Sequence, residues 1–188
     1  MNTTASCPKL EHFIQRLNGL LEQQLPEPQL LPNVRDLMAE LVAQDNWLDP
    51  SFAVPHPQYY QQYLLHADPN DRFSVVSFVW GPGQSTPIHD HTVWGVIGML
   101  RGAEDCQSYA LDTHGRPQPV GPAERLTPGQ TACVSPTIGD IHQVMNAHAD
   151  QVSISIHVYG ANIGKTHRHV FTPAGEVKSF VSGYANAR

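Results

Sequence analysis

Two histidines separated by one residue are the first sign of chemistry in this sequence. His89 and His91 lie in the stretch GQSTPIHDHTVWGVIGMLRG, residues 83–102. Residues i and i+2 of a β-strand point to one face, so both imidazoles could reach the same metal ion. A His-x-His pair alone is a weak signal. A third histidine, His142, opens a strand-like segment in GQTACVSPTIGDIHQVMN, and the three together indicate an imidazole metal site.

A second group of polar side chains shares one face of another predicted strand. VSISIHVYG places Ser155, His157 and Tyr159 at strict two-residue spacing, so the three could form a hydrogen-bonded row inside a barrel. A strand with its polar face in water would show the same alternation. A serine nucleophile with a histidine base is a third interpretation, although no acid or oxyanion motif accompanies it.

The elements that must position these residues change character near residue 57. Apolar residues recur at three- and four-residue steps over residues 8–24, and again after a predicted helix cap at Asn33, which predicts two scaffold helices. Farther along, short apolar or alternating runs separated by turn residues predict many strands, as in a closed sandwich or barrel. We expect one domain over residues 1–188, with a helical part (1–56) and a β-barrel (57–188).

The overall composition narrows the class of protein. The chain has 188 residues, a formal net charge of -6 and only 11 Lys and Arg residues, which gives no basic face for nucleic acid or anionic lipid. Its lack of a long apolar segment and of a signal-peptide pattern predicts a soluble cytoplasmic protein without membrane contact. Three widely spaced cysteines do not fit a disulfide framework.

Together the two histidine stretches resemble the two sequence motifs of the cupin superfamily, G(x)5HxH(x)3,4E(x)6G and G(x)5PxG(x)2H(x)3N. The second motif is matched with one extra residue before Pro136 and one before Gly139. In the first motif, Gly95 stands where glutamate is usual. The resemblance implies a mostly β fold: a double-stranded β-helix, or jelly-roll barrel, with the N-terminal α-helices packed on it and a metal in its mouth.

The missing glutamate bears on the chemistry. Three neutral imidazoles leave a divalent metal its full double positive charge and open coordination positions, which favours an anionic ligand from the substrate. Divalent iron with nitrogen ligands accepts thiolate and still has room for dioxygen. On this interpretation, Gly95 leaves space for a substrate thiolate, and Gly95→Ala should keep substantial activity.

With the Ser-His-Tyr row added, the chain resembles the thiol dioxygenases of the cysteine dioxygenase family, from about Tyr59 to Phe180. That resemblance implies one Fe(II) per chain and no organic cofactor, a small thiol and O2 as substrates, and a sulfinate product. It assigns the metal to His89, His91 and His142, and a catalytic role to Ser155, His157 and Tyr159. Animal members carry a cysteine, cross-linked to the tyrosine, where this chain has Gly95, so Tyr159 is expected to be unmodified.

Two further positions bear on the substrate. Where animal enzymes have an arginine that binds the substrate carboxylate, this chain has Gln62, and an arginine appears instead at Arg168, in GKTHRHVF. Both changes resemble the bacterial 3-mercaptopropionate dioxygenases. They imply that the guanidinium of Arg168 binds the carboxylate through a bidentate fork, with Gln62 and Tyr159 beside it. A surface charge is the alternative interpretation of Arg168.

The resemblance favours oxidation of 3-mercaptopropionate to 3-sulfinopropionate. L-Cysteine, oxidised to cysteine sulfinate, is the nearest alternative substrate, and mercaptosuccinate or another mercapto acid also fits. A metal-binding cupin that senses a small molecule without catalysis is the alternative of another class, and a cupin isomerase or hydrolase is a further one. The oligomeric state stays open.

Overall fold

The computed structural model describes residues 7–186. Two helices, α1 (Pro8–Glu22) and α2 (Glu27–Val42), precede a short 3-10 helix, Pro50–Phe52. The strands that follow are β1 (Gln61–Ala67), β2 (Ser74–Trp80), β3 (Ile88–His89), β4 (Gly95–Arg101), β5 (Glu104–Leu111), β6 (Pro117–Pro119), β7 (Glu124–Leu126), β8 (Thr131–Val134), β9 (Ile141–Asn146), β10 (Ser153–Tyr159), β11 (Arg168–Phe171) and β12 (Val177–Phe180).

The strands form two antiparallel sheets. The first sheet has the order β1-β2-β10-β4-β8, and the second has the order β12-β11-β3-β9-β5-β6, with β7 paired to β5. From β3 to β5, and again from β8 to β11, consecutive strands alternate between the two sheets. This alternation winds the chain into a double-stranded β-helix, so the expected mostly β jelly-roll with N-terminal helices is confirmed.

The helices cover the outer face of the first sheet. Buried apolar residues of α2 pack with buried residues of β2, β4 and β10 in one core cluster. On β10, Ile154, Ile156 and Val158 belong to this cluster, so strand alternation turns the other four side chains of the strand toward the second sheet. Every residue of β10 is buried, and the interpretation of its polar face as solvent-exposed is therefore wrong.

Helix α2 begins earlier than the sequence indicated. The expected start after a cap at Asn33 is wrong, because the helix starts at Glu27 and contains Pro32, and the Asn33 amide donates to the Gln29 carbonyl inside it. Pro28 lies in the first turn, where N–H groups have no helical partner, whereas Pro32 is the sixth residue of the helix and removes one backbone hydrogen bond. Burial of Leu30 and Leu31 in the core outweighs that cost.

Two smaller findings complete the description. The three cysteines are free thiols, as the sequence led us to expect. Among residues 7–186, no helix is long and apolar enough to cross a membrane.

Candidate metal centre

Three histidines from neighbouring strands of the second sheet converge. His89 ends β3 and is the direct cross-strand partner of His142 on β9, while His91 follows two residues after His89. The possible ligand atoms of these imidazoles all lie within 4.8 Å of one another. All three rings are buried. The structure thus brings together the three residues that the sequence indicated as metal ligands.

Each ring is held through its Nδ1 atom. His89 Nδ1 lies 3.0 Å from the carbonyl oxygen of Pro87, and His91 Nδ1 lies 2.9 Å from Asp140 Oδ1. A carbonyl or a carboxylate can only accept, which assigns the ring proton to Nδ1 in both cases. His142 Nδ1 contacts the Cys106 thiol at 3.3 Å. The Nε2 atoms of His89 and His91 are therefore left to present lone pairs to a metal, and Nε2 of His142 does so when the ring proton is on Nδ1.

The electrostatics of the cluster keep the rings of His89 and His142 neutral. Burial, and then the neighbouring His91, lower the pKa of His89 to about 3, and burial holds the pKa of His142 well below its usual value. Burial opposes ionisation of Asp140, but the hydrogen bonds from His91 and Thr92 outweigh it and lower the pKa of that carboxyl. Neutral imidazoles backed by a carboxylate are the donors that a divalent metal needs.

The row expected on β10 lies beside this cluster. Ser155 Oγ is 2.8 Å from His157 Nε2, and His157 Nδ1 is 2.8 Å from the Tyr159 hydroxyl. The Tyr159 ring stacks on His91, with a distance of 5.4 Å between ring centroids. The row therefore runs from the interior of the barrel to the edge of the three-histidine cluster.

A buried carboxyl group extends the row beyond Ser155. The Ser155 hydroxyl is hydrogen-bonded to Glu104, and the Trp80 indole N–H donates to Ser155 Oγ at 3.2 Å. Glu104 is 3% exposed, and burial raises its pKa to about 7. Glu104 was not found from the sequence because the alternating run CQSYAL, which predicts this strand, begins at Cys106. Glu104 lies two residues before Cys106, so extending that strand by one alternation would have placed both on one face.

Arg168 is a buried residue of β11. Its Nη2 donates to Ser182 Oγ at 2.7 Å, and its guanidinium carbon lies 4.6 Å from the centre of the Phe180 ring. The side chain is 2% exposed, so its interpretation as a surface charge is wrong. Its Nε is buried and finds no hydrogen-bond partner among residues 7–186. A guanidinium with an unused donor is a natural partner for a carboxylate.

Two tyrosines lie near this guanidinium, and an amide hydrogen-bonds to one of them. Arg168 interacts electrostatically with Tyr159 and Tyr60, both of which oppose the lowering of its pKa by burial. The side chain of Gln62 hydrogen-bonds to Tyr60, while Gln62 Oε1 is buried and without a partner in the part of the chain that the structure describes. Tyr60 was not singled out from the sequence, because the run YYQQYLL, residues 59–65, predicts a strand and gives no reason to prefer one of its tyrosines.

A cavity of about 500 Å³ reaches the site from another direction. Its inner wall includes Glu104, Cys106, His142 and His157. At its outer end lies Ile138, which is 61% exposed. The two ends of the row thus differ in surroundings: Tyr159 lies near the guanidinium of Arg168, and Glu104 lies at the cavity.

Comparison with known proteins gives a family match over most of the chain. The family model for cysteine dioxygenase type I matches residues 2–170. Human cysteine dioxygenase type 1 is 29% identical over 100 residues, which is 52% of this chain and 50% of that protein. The Bos taurus protein is 26% identical over 138 residues, 72% of this chain and 68% of that protein. The chain thus spans about half the length of the human relative.

Solved structures with a similar fold are more distant. A Klebsiella pneumoniae protein with a double-stranded β-helix domain is 18% identical, with a TM-score of 0.48, over 60% of this chain and 87% of that one. A cupin 2 conserved barrel domain protein from Salinispora arenicola is 20% identical, with a TM-score of 0.44, over 62% of this chain and 87% of that one.

Proposed function

The chain belongs to the cysteine dioxygenase type I family, and from that premise we propose that it is a thiol dioxygenase acting on a small mercapto acid. In this reaction RSH and O2 combine to RSO2H, so the thiol supplies all the electrons and no external reductant is needed. One observation carries the proposal: a three-imidazole cluster lies in the same buried region as a guanidinium whose Nε has no partner among residues 7–186.

We assign one Fe(II) per chain to His89, His91 and His142. When bound, iron would supply open coordination positions for the substrate thiolate and for dioxygen. The fit of the residues supports this assignment, because acceptors hold the Nδ1 protons of His89 and His91 and leave their Nε2 lone pairs for a metal, while His142 Nδ1 contacts the Cys106 thiol. A site of neutral ligands leaves the metal charge available to a thiolate.

Arg168 would bind the substrate carboxylate. The guanidinium is held by Ser182 and Phe180 and keeps an unused buried donor, so a carboxylate would satisfy a group that burial otherwise leaves unpaired. A short acid with its thiol two carbons from the carboxyl carbon, 3-mercaptopropionate, is therefore our first candidate substrate.

L-Cysteine is the second candidate, and a specific observation favours it. Gln62 Oε1 is buried and has no partner among the described residues, so it could accept an N–H from the ammonium group that cysteine adds. The carboxylate would still bind to Arg168. Of the two substrates, only L-cysteine carries an ammonium group that could donate a hydrogen bond to this amide oxygen.

The row on β10 would orient the reactants and help to exclude water. Tyr159 is anchored by His157, and His157 stacks on Phe78 at 4.1 Å between ring centroids. Tyr60 and Trp80 stack at 4.9 Å beside them. A phenol fixed in this way can form a hydrogen bond with the substrate carboxylate without losing conformational entropy at each turnover.

The decisive experiment is oxygen uptake by the Fe(II)-loaded protein with a panel of thiols: 3-mercaptopropionate, L-cysteine, mercaptosuccinate and 2-mercaptoethanol. We expect one O2 consumed per thiol, and with isotopically labelled dioxygen we expect both oxygen atoms in the sulfinate, detected by mass spectrometry. His142→Ala is the metal-site control and should be inactive. If no thiol supports oxygen uptake, the dioxygenase proposal is wrong.

A further inference from the structure

The buried row on β10 does not end at Ser155 but at a carboxyl group. Glu104, Ser155, His157 and Tyr159 are joined by consecutive hydrogen bonds. We propose that Glu104 is a positioning residue: its protonation sets the direction in which this row donates its hydrogen bonds, and therefore whether the Tyr159 hydroxyl offers a proton or a lone pair to the substrate. The effect on substrate rests on the proposed function, whereas the direction of the row does not.

The number of protons available to the row limits the directions that its hydrogen bonds can take. Ser155 Oγ carries one proton and has three partners: Trp80, Glu104 and His157. The indole N–H of Trp80 can only donate, so Ser155 must accept from it. Ser155 can then donate to either Glu104 or His157, but not to both. Burial holds the pKa of His157 well below its usual value, so the neutral ring also carries one proton.

With Glu104 ionised, the row runs in one direction. A carboxylate can only accept, so Ser155 donates to Glu104. His157 then donates from Nε2 to Ser155, and its Nδ1 is left as an acceptor. Tyr159 satisfies that acceptor with its own proton and presents only a lone pair to the substrate side.

With Glu104 protonated, every bond of the row reverses. The carboxylic acid donates to Ser155, which donates to His157 Nε2. His157 now carries its proton on Nδ1 and donates to the phenol oxygen of Tyr159. The hydroxyl proton of Tyr159 becomes free to reach a substrate carboxylate. Burial raises the pKa of Tyr159, so the phenol keeps that proton in both states.

The surroundings of Glu104 allow both states. The titratable groups around it are Cys106 on its own strand, His142 on β9, His157 and Tyr159 on β10, and Glu124 on β7; none of them is a lysine or an arginine. Without a cation to hold it ionised, burial dominates and raises the pKa of Glu104 to about 7. Both protonation states are then populated near neutral pH.

The cavity gives Glu104 a route for proton exchange. Glu104 and His157 contribute to its inner wall, and Ile138 at its outer end is mostly exposed. A cavity of about 500 Å³ with polar groups on its wall is large enough to hold water. The proton of Glu104 can therefore exchange with solvent through this cavity, whose lining does not include Arg168, His89 or His91.

The test measures which nitrogen of His157 carries the proton. Zinc(II), which binds imidazole and is diamagnetic, takes the metal site, and long-range proton–nitrogen NMR spectra of histidine-labelled protein distinguish the two tautomers. The His157 signals are assigned by their loss in His157→Gln. We expect the proton on Nε2 above about pH 7 and on Nδ1 below it.

Three variants make the test specific. Glu104→Gln keeps the shape but cannot titrate, so the His157 tautomer should be the same at every pH. Ser155→Ala breaks the connection and should also abolish the change. Glu124→Gln, an exposed glutamate on the wall of the same cavity, is the matched control and should keep it. In the iron-loaded enzyme, Glu104→Gln should lose the ionisation near pH 7 from the profile of kcat/KM, and Glu124→Gln should retain it.

Two results would overturn the proposal: a wild-type His157 tautomer that does not change with pH, or a change that persists in Glu104→Gln. The NMR measurement uses neither thiol nor dioxygen. A failure of every thiol to support oxygen uptake would therefore contradict the proposed function and leave the reversal of the row untouched. A fixed tautomer in an active enzyme would contradict the reversal alone.

Discussion

Gly95 and Tyr159 are direct partners across the β4–β10 pair, and a Cβ added to residue 95 would lie 2.7 Å from Tyr159 Cδ1. The φ angle of Gly95 is not among the positive ones, so close approach of the ring, and not backbone conformation, requires a glycine here. The expectation from the sequence that Gly95→Ala keeps substantial activity took no account of this contact, and we revise it.

We expect Gly95→Ala to bind iron normally and to lose about 10- to 100-fold in kcat/KM, because the new methyl group displaces the Tyr159 ring while the histidine anchors stay in place. Metal analysis and oxygen uptake measure the two effects separately. Gly98→Ala is the control on the same strand: its Cβ would meet Met38 Cγ of α2 at 2.6 Å, so it should lower stability and leave kcat/KM unchanged. Wild-type kinetics in Gly95→Ala would show that the ring can shift at no cost.

Asp140 should govern how tightly the metal is held. Its carboxylate accepts from His91 Nδ1 at 2.9 Å and from the Thr92 backbone N–H at 2.8 Å. We expect Asp140→Asn to weaken metal binding by about 10- to 100-fold, since the ring of His91 loses its charged anchor. Titration against a chelator of known affinity measures this.

A similar pair outside the cluster is the control for Asp140. Asp90 Oδ2 lies 2.8 Å from His169 Nδ1, and His169 is not a member of the three-histidine group. Asp90→Asn should leave the metal affinity within about twofold of wild type, as expected of a histidine–carboxylate pair that holds no ligand. Equal losses in the two variants would mean that general disturbance of the β3 region, and not the anchor on His91, weakens the site.

Patterns in the sequence predict relationships between residues that are close together in the chain, and they do not predict contacts between distant residues. Alternation along one strand is local, so the shared face of Ser155, His157 and Tyr159 was readable from spacing. Asp140 and Glu104 act on residues that are distant in the sequence, His91 and Ser155, and these contacts depend on how the strands are paired. The start of α2 was misjudged for the same reason, because burial of its first turns against the sheet outweighs the local signal of its prolines.

Arg168 should discriminate between thiols by their carboxylate. A lost charge-assisted pair is worth about 1.5 to 3 kcal/mol, so Arg168→Ala should lower kcat/KM for 3-mercaptopropionate by about 10- to 150-fold and that for 2-mercaptoethanol much less. Arg168→Lys keeps the positive charge but loses the bidentate fork, so its kcat/KM for 3-mercaptopropionate should lie between those of wild type and Arg168→Ala. Ser182→Ala removes the hydroxyl that Arg168 Nη2 binds and tests positioning alone. Equal losses for both thiols in Arg168→Ala would place the carboxylate elsewhere.

Glu104 should also make the stability of the folded protein depend on pH. The folded protein holds the Glu104 proton up to about pH 7, whereas the unfolded chain releases it near 4.5. The folded state therefore binds more protons between these values, and its stability falls as the pH rises through them. Glu104→Gln removes this pH dependence. The free energy of unfolding of the variant, relative to that of wild type, should therefore rise by up to about 3 kcal/mol between about pH 4 and about pH 8.

Denaturant unfolding of both proteins at saturating zinc measures that difference, and effects of the metal common to the two cancel. Glu124→Gln changes the same residue type at an exposed position and should give a difference that hardly varies with pH. A desolvated carboxyl is always harder to ionise. Burial alone therefore cannot make the wild type gain stability relative to Glu104→Gln as the pH rises. Such a gain would mean that the folded protein stabilises the Glu104 carboxylate, and the row would then keep one direction at neutral pH.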